Sequence, residues 1–586
     1  MSHASRDCTG TRLLAGLFVL GSLAGCPEGQ LVSNRRDAAA DGILTDGPKD
    51  GPQGGPTDGA PGGPKDGLPV GPKDGLPRDS GTIPVVGKTY YVSPSGKDTN
   101  SGTSAAAPFA TFNRAWQALN PGDLLLLMDG TYTQTLAPNV RDGQPNPAIT
   151  QQDYVKYPLD HPERTKFYIT IRAEHDGKAL IDGQGQRPTV VLGSYTQGFK
   201  GSYYVIEGLV AKNASNPKDQ DDLGHVYTIK SRNVILRRCS GYNAFTDRND
   251  HVFLVDAGCC DAKSTKCPDP TMFCTTSNPT NVLLEDCVGA GSGRKMFVAY
   301  ASYVNVVFRR LFAAWIDWRG GACGSNDCAA HWPWGDGIEV YNWQQPDLPD
   351  GWRNSVVENC IVFGRLAKWG FSLSPNPTET YDNHFYGDIA LRVGVDWDGS
   401  IMSWPCPSPN NGLPCPKWDQ WQSMRAGFSI GAHGGSLVKD TVLQDLFAWG
   451  NAGVGIGTGP FGAGSANNAL VRGTFLNNGL APNLLASEKG KDVSPVAPLG
   501  SLTSATDVHT GASPSASRAR LSYRYVNGRY QDGTNGTPAQ RLWPWPMEER
   551  IRQEFATHLG KAGFSVTSTV CEQVLKPNGA ASQCGP

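Results

Sequence analysis

A short pattern recurs along the middle of this chain. Each copy begins with Asn or Asp (Tyr203 in the first), alternates apolar residues, and ends with a polar residue followed by a small or apolar one. Neighbouring copies without long insertions start 24 (281 to 305) to 30 (203 to 233) residues apart. Such a strand cannot bury its apolar face alone, so the copies must stack into a solenoid. The copies span residues 203–209, 233–239, 281–287, 305–311, 354–360, 383–389, 440–446 and, in degenerate form, 468–474.

Two positions of the pattern belong to the scaffold. The last position holds Cys239, Cys287 and Cys360 where other copies hold Leu or Ile, so we expect buried, unreactive thiols. The position before it holds Asx residues, whose side chains satisfy turn backbone groups and can form a ladder. These turn residues are Asp286, Asn359, Asp388 and Asp445.

A second set of segments aligns without gaps and predicts a second column of stacked strands. Alternation places residues such as Phe253 and Val255 inside and the residues between them outside. In the last segment the predicted inward residues are Val454 and Ile456. The segments are 225–230, 251–256, 295–300, 336–341, 369–374, 426–431 and 452–457.

The first 26 residues read as an export signal. Arg6 and Arg12 precede a short apolar stretch, which ends in Leu-Ala-Gly-Cys26 and is too short to span a bilayer. This ending resembles a bacterial lipobox, which implies lipidation of Cys26 and a location at the bacterial envelope, either the outer membrane or the cell surface. The alternative is an ordinary secretory signal. We expect a membrane tether rather than a span.

The next residues, 27–87, are rich in Gly, Pro, Asp and Lys and predict a disordered stalk. Gly-Pro-Lys-Asp-Gly occurs at 47–51, 63–67 and 71–75. We expect the solenoid to occupy 88–538, and a C-terminal cap with an amphipathic helix near 547–559 to occupy 539–586. Ten further cysteines in loops or the tail predict disulfides in an oxidising compartment. We expect pairs 323–328, 406–415 and 571–584, with zinc as the alternative for the group at 259–274.

Residues 90–132 predict a strand, a Gly/Asn/Ser turn, a helix ending at Leu119 and a second strand, which suits a helix that plugs an open solenoid end. The block resembles the opening of the pectate-lyase-like superfamily. It is most similar to the Tyr-Tyr-Val-Ser-Pro-x-Gly start of one group of extracellular pectate lyases. The resemblance implies an all-β, single-stranded right-handed parallel β-helix with an N-terminal helical cap and disulfide-stapled loop insertions.

Aromatic residues crowd the predicted loops. Of 15 tryptophans, 12 lie between Trp315 and Trp449, and exposed rings suit the apolar faces of sugars. The alternative is that they fill small cores under long loops. The predicted substrate-binding residues are Trp318, Trp334, Tyr341, Trp369, His251 and His433.

Ionisable residues occupy one edge of the second strand column, where neighbouring cations could lower a lysine's pKa. The resemblance implies β-elimination on a uronate polysaccharide, with Lys368 or Lys295 as base and Arg294 and Arg425 holding the carboxylate. Calcium is an implied cofactor. Its predicted ligands are Asp336, Glu339, Asp396 and Asp398.

Two other functions stay open. A glycoside hydrolase would use paired carboxylates from Asp336, Glu339 and Asp317. A non-catalytic glycan-binding, adhesive or structural β-helix would need no catalytic base. The net charge of −2 and the lack of a basic run argue against a nucleic-acid partner, and we expect a monomer that contacts an anionic polysaccharide. A lyase is the favoured reading.

Overall fold

The structure is a computed structural model that describes a large part of the solenoid. The signal, residues 27–82 of the stalk and all predicted disulfide cysteines lie outside the described residues, so those assignments stay predictions. The last residues assigned to the stalk, 83–87, are described, and Ile83 is buried in a cluster with Val205 and Ile235. The described residues are 83–137, 168–192, 203–215, 224–230, 233–244, 251–256, 281–291, 295–300, 304–315, 336–343, 353–364, 369–376, 380–395, 426–431, 437–459, 461–480, 490–494, 502–511, 523–526, 529–532 and 547–559.

The described elements are almost all strands. The first half holds β1 Thr89–Val92, α1 Phe112–Ala118, β2 Leu124–Leu127, β3 Gly130–Tyr132, β4 Ile169–Ala173, β5 Ala179–Asp182, β6 Val190–Leu192, β7 Tyr204–Glu207, β8 Val210–Ala214, β9 Tyr227–Ile229, β10 Val234–Arg237, β11 Ser240–Ala244, β12 His251–Asp256, β13 Val282–Glu285, β14 Val288–Ala290, β15 Lys295–Tyr300 and β16 Val304–Arg309. The second half holds β17 Phe312–Trp315, β18 Asp336–Trp343, β19 Arg353–Glu358, β20 Ile361–Gly364, β21 Trp369–Asn376, β22 Thr380–Tyr381, β23 His384–Tyr386, β24 Ile389–Leu391, β25 Ala426–Ile430, β26 Val438–Lys439, β27 Val442–Trp449, β28 Ile456–Thr458, β29 Ala469–Leu476, β30 Ser504–Gly511, β31 Tyr523–Val526, β32 Arg529–Asp532 and α2 Glu548–Leu559.

Successive coils stack through parallel strands, as the repeat predicts. A typical coil runs through β7, β8 and β9, and each strand pairs in parallel with its equivalent in the next coil, β10, β11 and β12. The first two strands of each coil belong to a 20-stranded sheet, and the third belongs to an eight-stranded sheet. The chain is therefore a parallel β-helix.

Alternation along each strand builds the core inside the coil. Phe253 and Val255 point inward and are fully buried, and Tyr227, Phe253 and Phe297 stack ring on ring at centroid distances of 4.4 and 4.6 Å. Cys239, Cys287 and Cys360 are buried thiols without disulfides. Burial raises the pKa of the Cys287 and Cys360 thiols, which confirms that these cysteines are core residues.

A residue with a left-handed backbone conformation (positive φ) turns the chain between the first and second strands of a coil. Asp286, Asn359 and Asp445 occupy this position with φ of 54°, 57° and 57°, which confirms their scaffold role. The predicted turn position is wrong for Asp388, because Gly387 (φ 65°) makes that turn, but Asp388 still serves the scaffold by accepting a backbone hydrogen bond. The pattern in this coil starts one residue earlier than predicted, at 382, because β19 pairs Val356 with His384. Asp388 is consequently fully buried, and its Oδ1 accepts a hydrogen bond from Cys360 N at 2.9 Å.

The last strand of the eight-stranded sheet also differs from the prediction. Phe428 pairs with Ile456 and Ile430 with Thr458, two residues later than the gapless alignment. Val454 instead packs in a small cluster with Trp369 and Ala426. A shift of two keeps the inward and outward parity, so sequence alternation cannot detect it.

Helix α1 closes the N-terminal end. The Thr111 hydroxyl caps it by accepting from Arg114 N at 3.1 Å, and Phe112, Ala115 and Trp116 join the core cluster. Because these apolar side chains cover the core at the first coil, the predicted N-terminal plug is confirmed.

Helix α2 packs beside early coils. Tyr242 OH donates to Glu554 Oε2 at 2.6 Å, and Arg550 contacts Asp176 Oδ2 at 3.0 Å and the Arg238 carbonyl. The sequence predicts the helix, but its described contacts lie in the N-terminal half of the solenoid. Closure of the C-terminal end by 539–586 stays a prediction. Among the described residues, no helix has the length and apolar content needed to cross a membrane.

Candidate active site

The outer face of the eight-stranded sheet carries a column of residues that changes character along the stack. Leu254, Val298, Glu339, Ser372 and Ser429 are register partners on five consecutive strands, β12, β15, β18, β21 and β25. The inward neighbours of these residues hold them in place by packing in the core. The polar part of this column begins at Glu339, where the residues change from apolar to polar.

An enclosed ion pair lies at this transition. The Lys295 ammonium contacts the Glu339 carboxylate, and their side chains are 1% and 0% exposed. Lys295 Nζ also donates to Tyr300 OH at 3.2 Å and lies 4.7 Å from the Tyr300 ring centroid. Lys295 and Tyr300 lie at opposite ends of β15, and the long Lys295 side chain follows the strand between them. Such a pair is costly to desolvate, so its members depend on each other.

Two stacked histidines continue the cluster toward earlier coils. The His225 and His251 rings are parallel within 1° at 4.9 Å, and His225 Nδ1 accepts from the His251 backbone N–H at 3.0 Å. The His251 ring lies 5.3 Å from the Tyr300 ring. Imidazole, phenol, ammonium and carboxylate groups thus meet within three adjacent strands. This set can stabilise an anion and transfer protons.

The structure describes one charged neighbour of Lys295, the Glu339 carboxylate. The predicted cationic neighbours, Arg294 and Lys368, lie outside the described residues, so their effect on Lys295 stays a prediction. A carboxylate in contact favours the ammonium form over the free amine, so Lys295 suits binding of negative charge better than proton abstraction.

The remaining predicted site residues divide into three groups. Trp369 is 2% exposed and packs with Ala426 and Val454, so its ring fills a small core and offers no open face to a sugar. Asp336 pairs in register with Lys295 and Tyr341 with Tyr300, but their side chains are outside the described part of the structure. The site predictions that lie wholly outside the described residues are Lys368, Arg294, Arg425, Trp318, Trp334, His433, Asp396, Asp398 and Cys26.

Tyr300 is the residue that sequence reasoning missed. It is the outward residue three positions after Phe297 on the same strand, so alternation places it on the face of Val298. Alternation in the sequence therefore predicts the outward position of Tyr300, but only the structure shows that the Lys295 side chain reaches Tyr300.

Among the predicted calcium ligands, Glu339 is the one whose side chain the structure describes, and its surroundings do not suit a calcium ion. The Glu339 carboxylate is occupied by an ammonium, which would repel a divalent cation. Another acidic group, Asp129, Glu174 and His175, has ligand atoms within 4.8 Å of one another, but all three residues are exposed and lie near the N-terminal end.

Comparison with known sequences gives two short matches, and no protein-family model matches the chain. The chain is 50% identical over 46 residues to pectate lyase L of Dickeya dadantii and 29% identical over 127 residues to pectate lyase L of Dickeya chrysanthemi. These segments span 8% and 22% of this chain, and only 11% and 27% of the two relatives.

Comparison with solved structures gives distant likenesses. Pectate lyase Pel9A matches with a TM-score of 0.35 and 14% identity over 77% of this chain and 88% of its own. A rhamnogalacturonan lyase matches with a TM-score of 0.30 and 12% identity over 77% and 96%. The fold assignment rests on the strand register of this chain. With the two sequence matches, that register confirms the predicted resemblance: the protein has a pectate-lyase-like parallel β-helix fold.

Proposed function

We propose that this protein acts on an acidic polysaccharide and cleaves it by β-elimination at the outer face of the eight-stranded sheet. The observation that carries the proposal is the enclosed cluster of Lys295, Glu339, Tyr300 and His251 on one sheet face. The similarity to two proteins named pectate lyase L supports the substrate class.

The chemistry requires three tasks. A base removes the proton beside the uronate carboxylate, a cation stabilises the negative charge that develops, and an acid protonates the leaving oxygen as the C–O bond breaks and a C=C bond forms. His251 suits the base, because imidazole titrates near neutral pH. Lys295 supplies the cation and Tyr300 the acid, while Glu339 positions Lys295. Lys368, Arg294 and Arg425 keep their predicted roles as an additional base and additional carboxylate contacts.

The direct test is an elimination assay on pectate, alginate and glycosaminoglycans, each with and without Ca²⁺. We expect an unsaturated product with at least one polyuronate, seen as new absorbance near the ultraviolet edge. New reducing ends without that absorbance would identify a hydrolase instead. Binding of a polyuronate without any product would contradict elimination.

The complete enclosure of the cluster counts against catalysis there, which keeps a second candidate open, a non-catalytic glycan-binding protein that needs no catalytic base. Lys295, Glu339 and His251 are at most 1% exposed, and catalysis requires the substrate to reach them. The two candidates differ in an observable way, because a binding protein would retain polyuronate on an affinity column and leave its chain length unchanged.

We also propose that lipidation of Cys26 tethers the protein to the bacterial envelope, with the stalk holding the β-helix away from the membrane. The basis is the Leu-Ala-Gly-Cys sequence after the apolar stretch. The test is membrane fractionation of wild type and Cys26→Ser. We expect Cys26→Ser to leave the membrane fraction, and equal membrane retention of both would contradict the proposal.

A further inference from the structure

Small hydroxyl residues replace bulky ones on the outer face just beyond the ion pair. In the column that contains Glu339, the earlier positions hold Leu254 and Val298, whereas the later ones hold Ser372 and Ser429. A second outward column lies two residues further along the same strands, and it holds Tyr300, then Tyr341, then Ser374. Both columns therefore change from bulky to short hydroxyl side chains at β21, directly beside Glu339.

The two β21 hydroxyls are enclosed and lack a protein partner. Ser372 and Ser374 are 0% exposed, and within the described structure neither Oγ has a hydrogen-bond partner. A buried hydroxyl without a partner destabilises the protein, so such groups usually meet a ligand or a water. Two of them side by side on one outer face are evidence for a binding position.

Ser355 provides a useful contrast. Its Oγ is equally buried and without a partner, but it pairs in register with the core residue Val306 and therefore faces the inside of the coil. A hydroxyl inside the coil cannot meet a polysaccharide. Ser355 is thus as buried as Ser372 and Ser374, but it lies on the inner face of its strand whereas they lie on the outer face.

We propose that Ser372 and Ser374 form a subsite for the hydroxyl groups of a sugar ring that neighbours the ring bound at Lys295. This inference rests on the proposed function and describes part of its substrate. A serine hydroxyl both donates and accepts, as a sugar hydroxyl does. Strands β15 and β21 are two strand spacings apart, roughly 10 Å, which two linked hexose rings can span. The glycan therefore runs across the strands, with a carboxylate near Lys295 and free hydroxyls over β21.

The test measures binding of galacturonan and alginate tetrasaccharides by calorimetry to Ser372→Ala, Ser374→Ala and the control Ser355→Ala. We expect the dissociation constant to rise about 3–10-fold for each β21 variant, because each variant loses one hydrogen bond to the sugar. The dissociation constant should stay unchanged for Ser355→Ala. An O-acetylated galacturonan, which lacks the donating hydroxyls, should not distinguish Ser372→Ala from wild type.

The outcomes separate this inference from the proposed activity. Unchanged affinity of both β21 variants would overturn the subsite and leave these hydroxyls as water sites only. Weaker binding by the β21 variants without any elimination product would support the subsite and contradict the activity. If wild type binds neither tetrasaccharide, both proposals fail.

Discussion

Lys295 forms a buried ion pair with Glu339 and is also the cation that the proposed function assigns to the substrate. Replacing it with Met leaves the Glu339 carboxylate buried without its cation, so we predict a loss of about 3–5 kcal/mol in unfolding free energy. We also predict at least about 100-fold lower elimination activity, because the charge facing the substrate is gone. Denaturant unfolding and the ultraviolet assay measure the two effects.

Two variants separate these effects. Lys295→Met combined with Glu339→Leu should recover stability but not activity, since an apolar pair can replace a buried ion pair. Arg309→Met breaks a buried contact with Glu358 on the other sheet and should destabilise without a specific effect on catalysis. Full activity in Lys295→Met would remove Lys295 from the site.

Asp388 is a carboxyl group in a core position. Burial raises its pKa well above the usual value, because ionisation there is opposed by desolvation. The loss of folding free energy caused by the buried Asp388 carboxyl is absent below about pH 3.9, the ordinary aspartate pKa. This loss grows as the pH rises toward the folded-state pKa. We predict that Asp388→Asn, which can still accept from Cys360 N, stabilises the protein at neutral pH by about 1.4 kcal/mol per unit of pKa shift. Melting temperatures of wild type and variant should converge near pH 3.5, and a pH-independent difference would contradict this account.

At the scale of the element, the 20-stranded sheet carries an alternating charge ladder on its outer face. Register pairs join its residues across six consecutive coils. Each carboxylate contacts a guanidinium above or below, so the charges neutralise one another along the stack. The ladder residues are Arg172, Glu207, Arg237, Glu285, Arg309 and Glu358.

Glu285 is the most heavily paired ladder residue. Burial alone would raise its pKa, but Arg310, Arg309 and Arg237 outweigh burial and hold the pKa below the usual value. Its stabilising contribution is therefore present above about pH 4.3 and lost as pH falls through the folded-state pKa. We predict that Glu285→Gln costs about 3–5 kcal/mol at neutral pH and progressively less in acid. Urea unfolding at several pH values measures this, with the exposed Glu174→Gln as control, and equal costs for the two variants would contradict it.

At the scale of the whole molecule, helix α2 links the end of the chain to early coils. Arg550 reaches Asp176 and the Leu209 and Arg238 carbonyls, and Tyr242 OH donates to the buried Glu554. We predict that Arg550→Ala releases the helix, because these carbonyls and carboxylates lose their shared donor. Limited proteolysis should cut near 547–559 in the variant while the coils stay intact. Arg552→Ala, an exposed residue on the same helix, is the control, and identical cleavage of wild type and Arg550→Ala would contradict the prediction.

Much of the fold was predictable because its causes are local and periodic. Phe253, Phe297 and Cys287 take their inward positions from alternation and repetition alone. The errors at Asp388 and Ile456 are errors of register, by one and two residues, and they occur where neighbouring coils differ in length. A register depends on which long-range pairs form, and a single strand does not encode that.

The repeat and its alternation were enough to determine a stacked parallel solenoid, its core column and its N-terminal plug. Only the tertiary structure decided which charges meet. It placed the Glu339 carboxylate against Lys295, brought Tyr300 to both Lys295 and His251, and buried Trp369. The physical reason is that the core needs only apolar residues at the correct period, whereas an ion pair needs two particular side chains at contact distance across strands that are far apart in the chain.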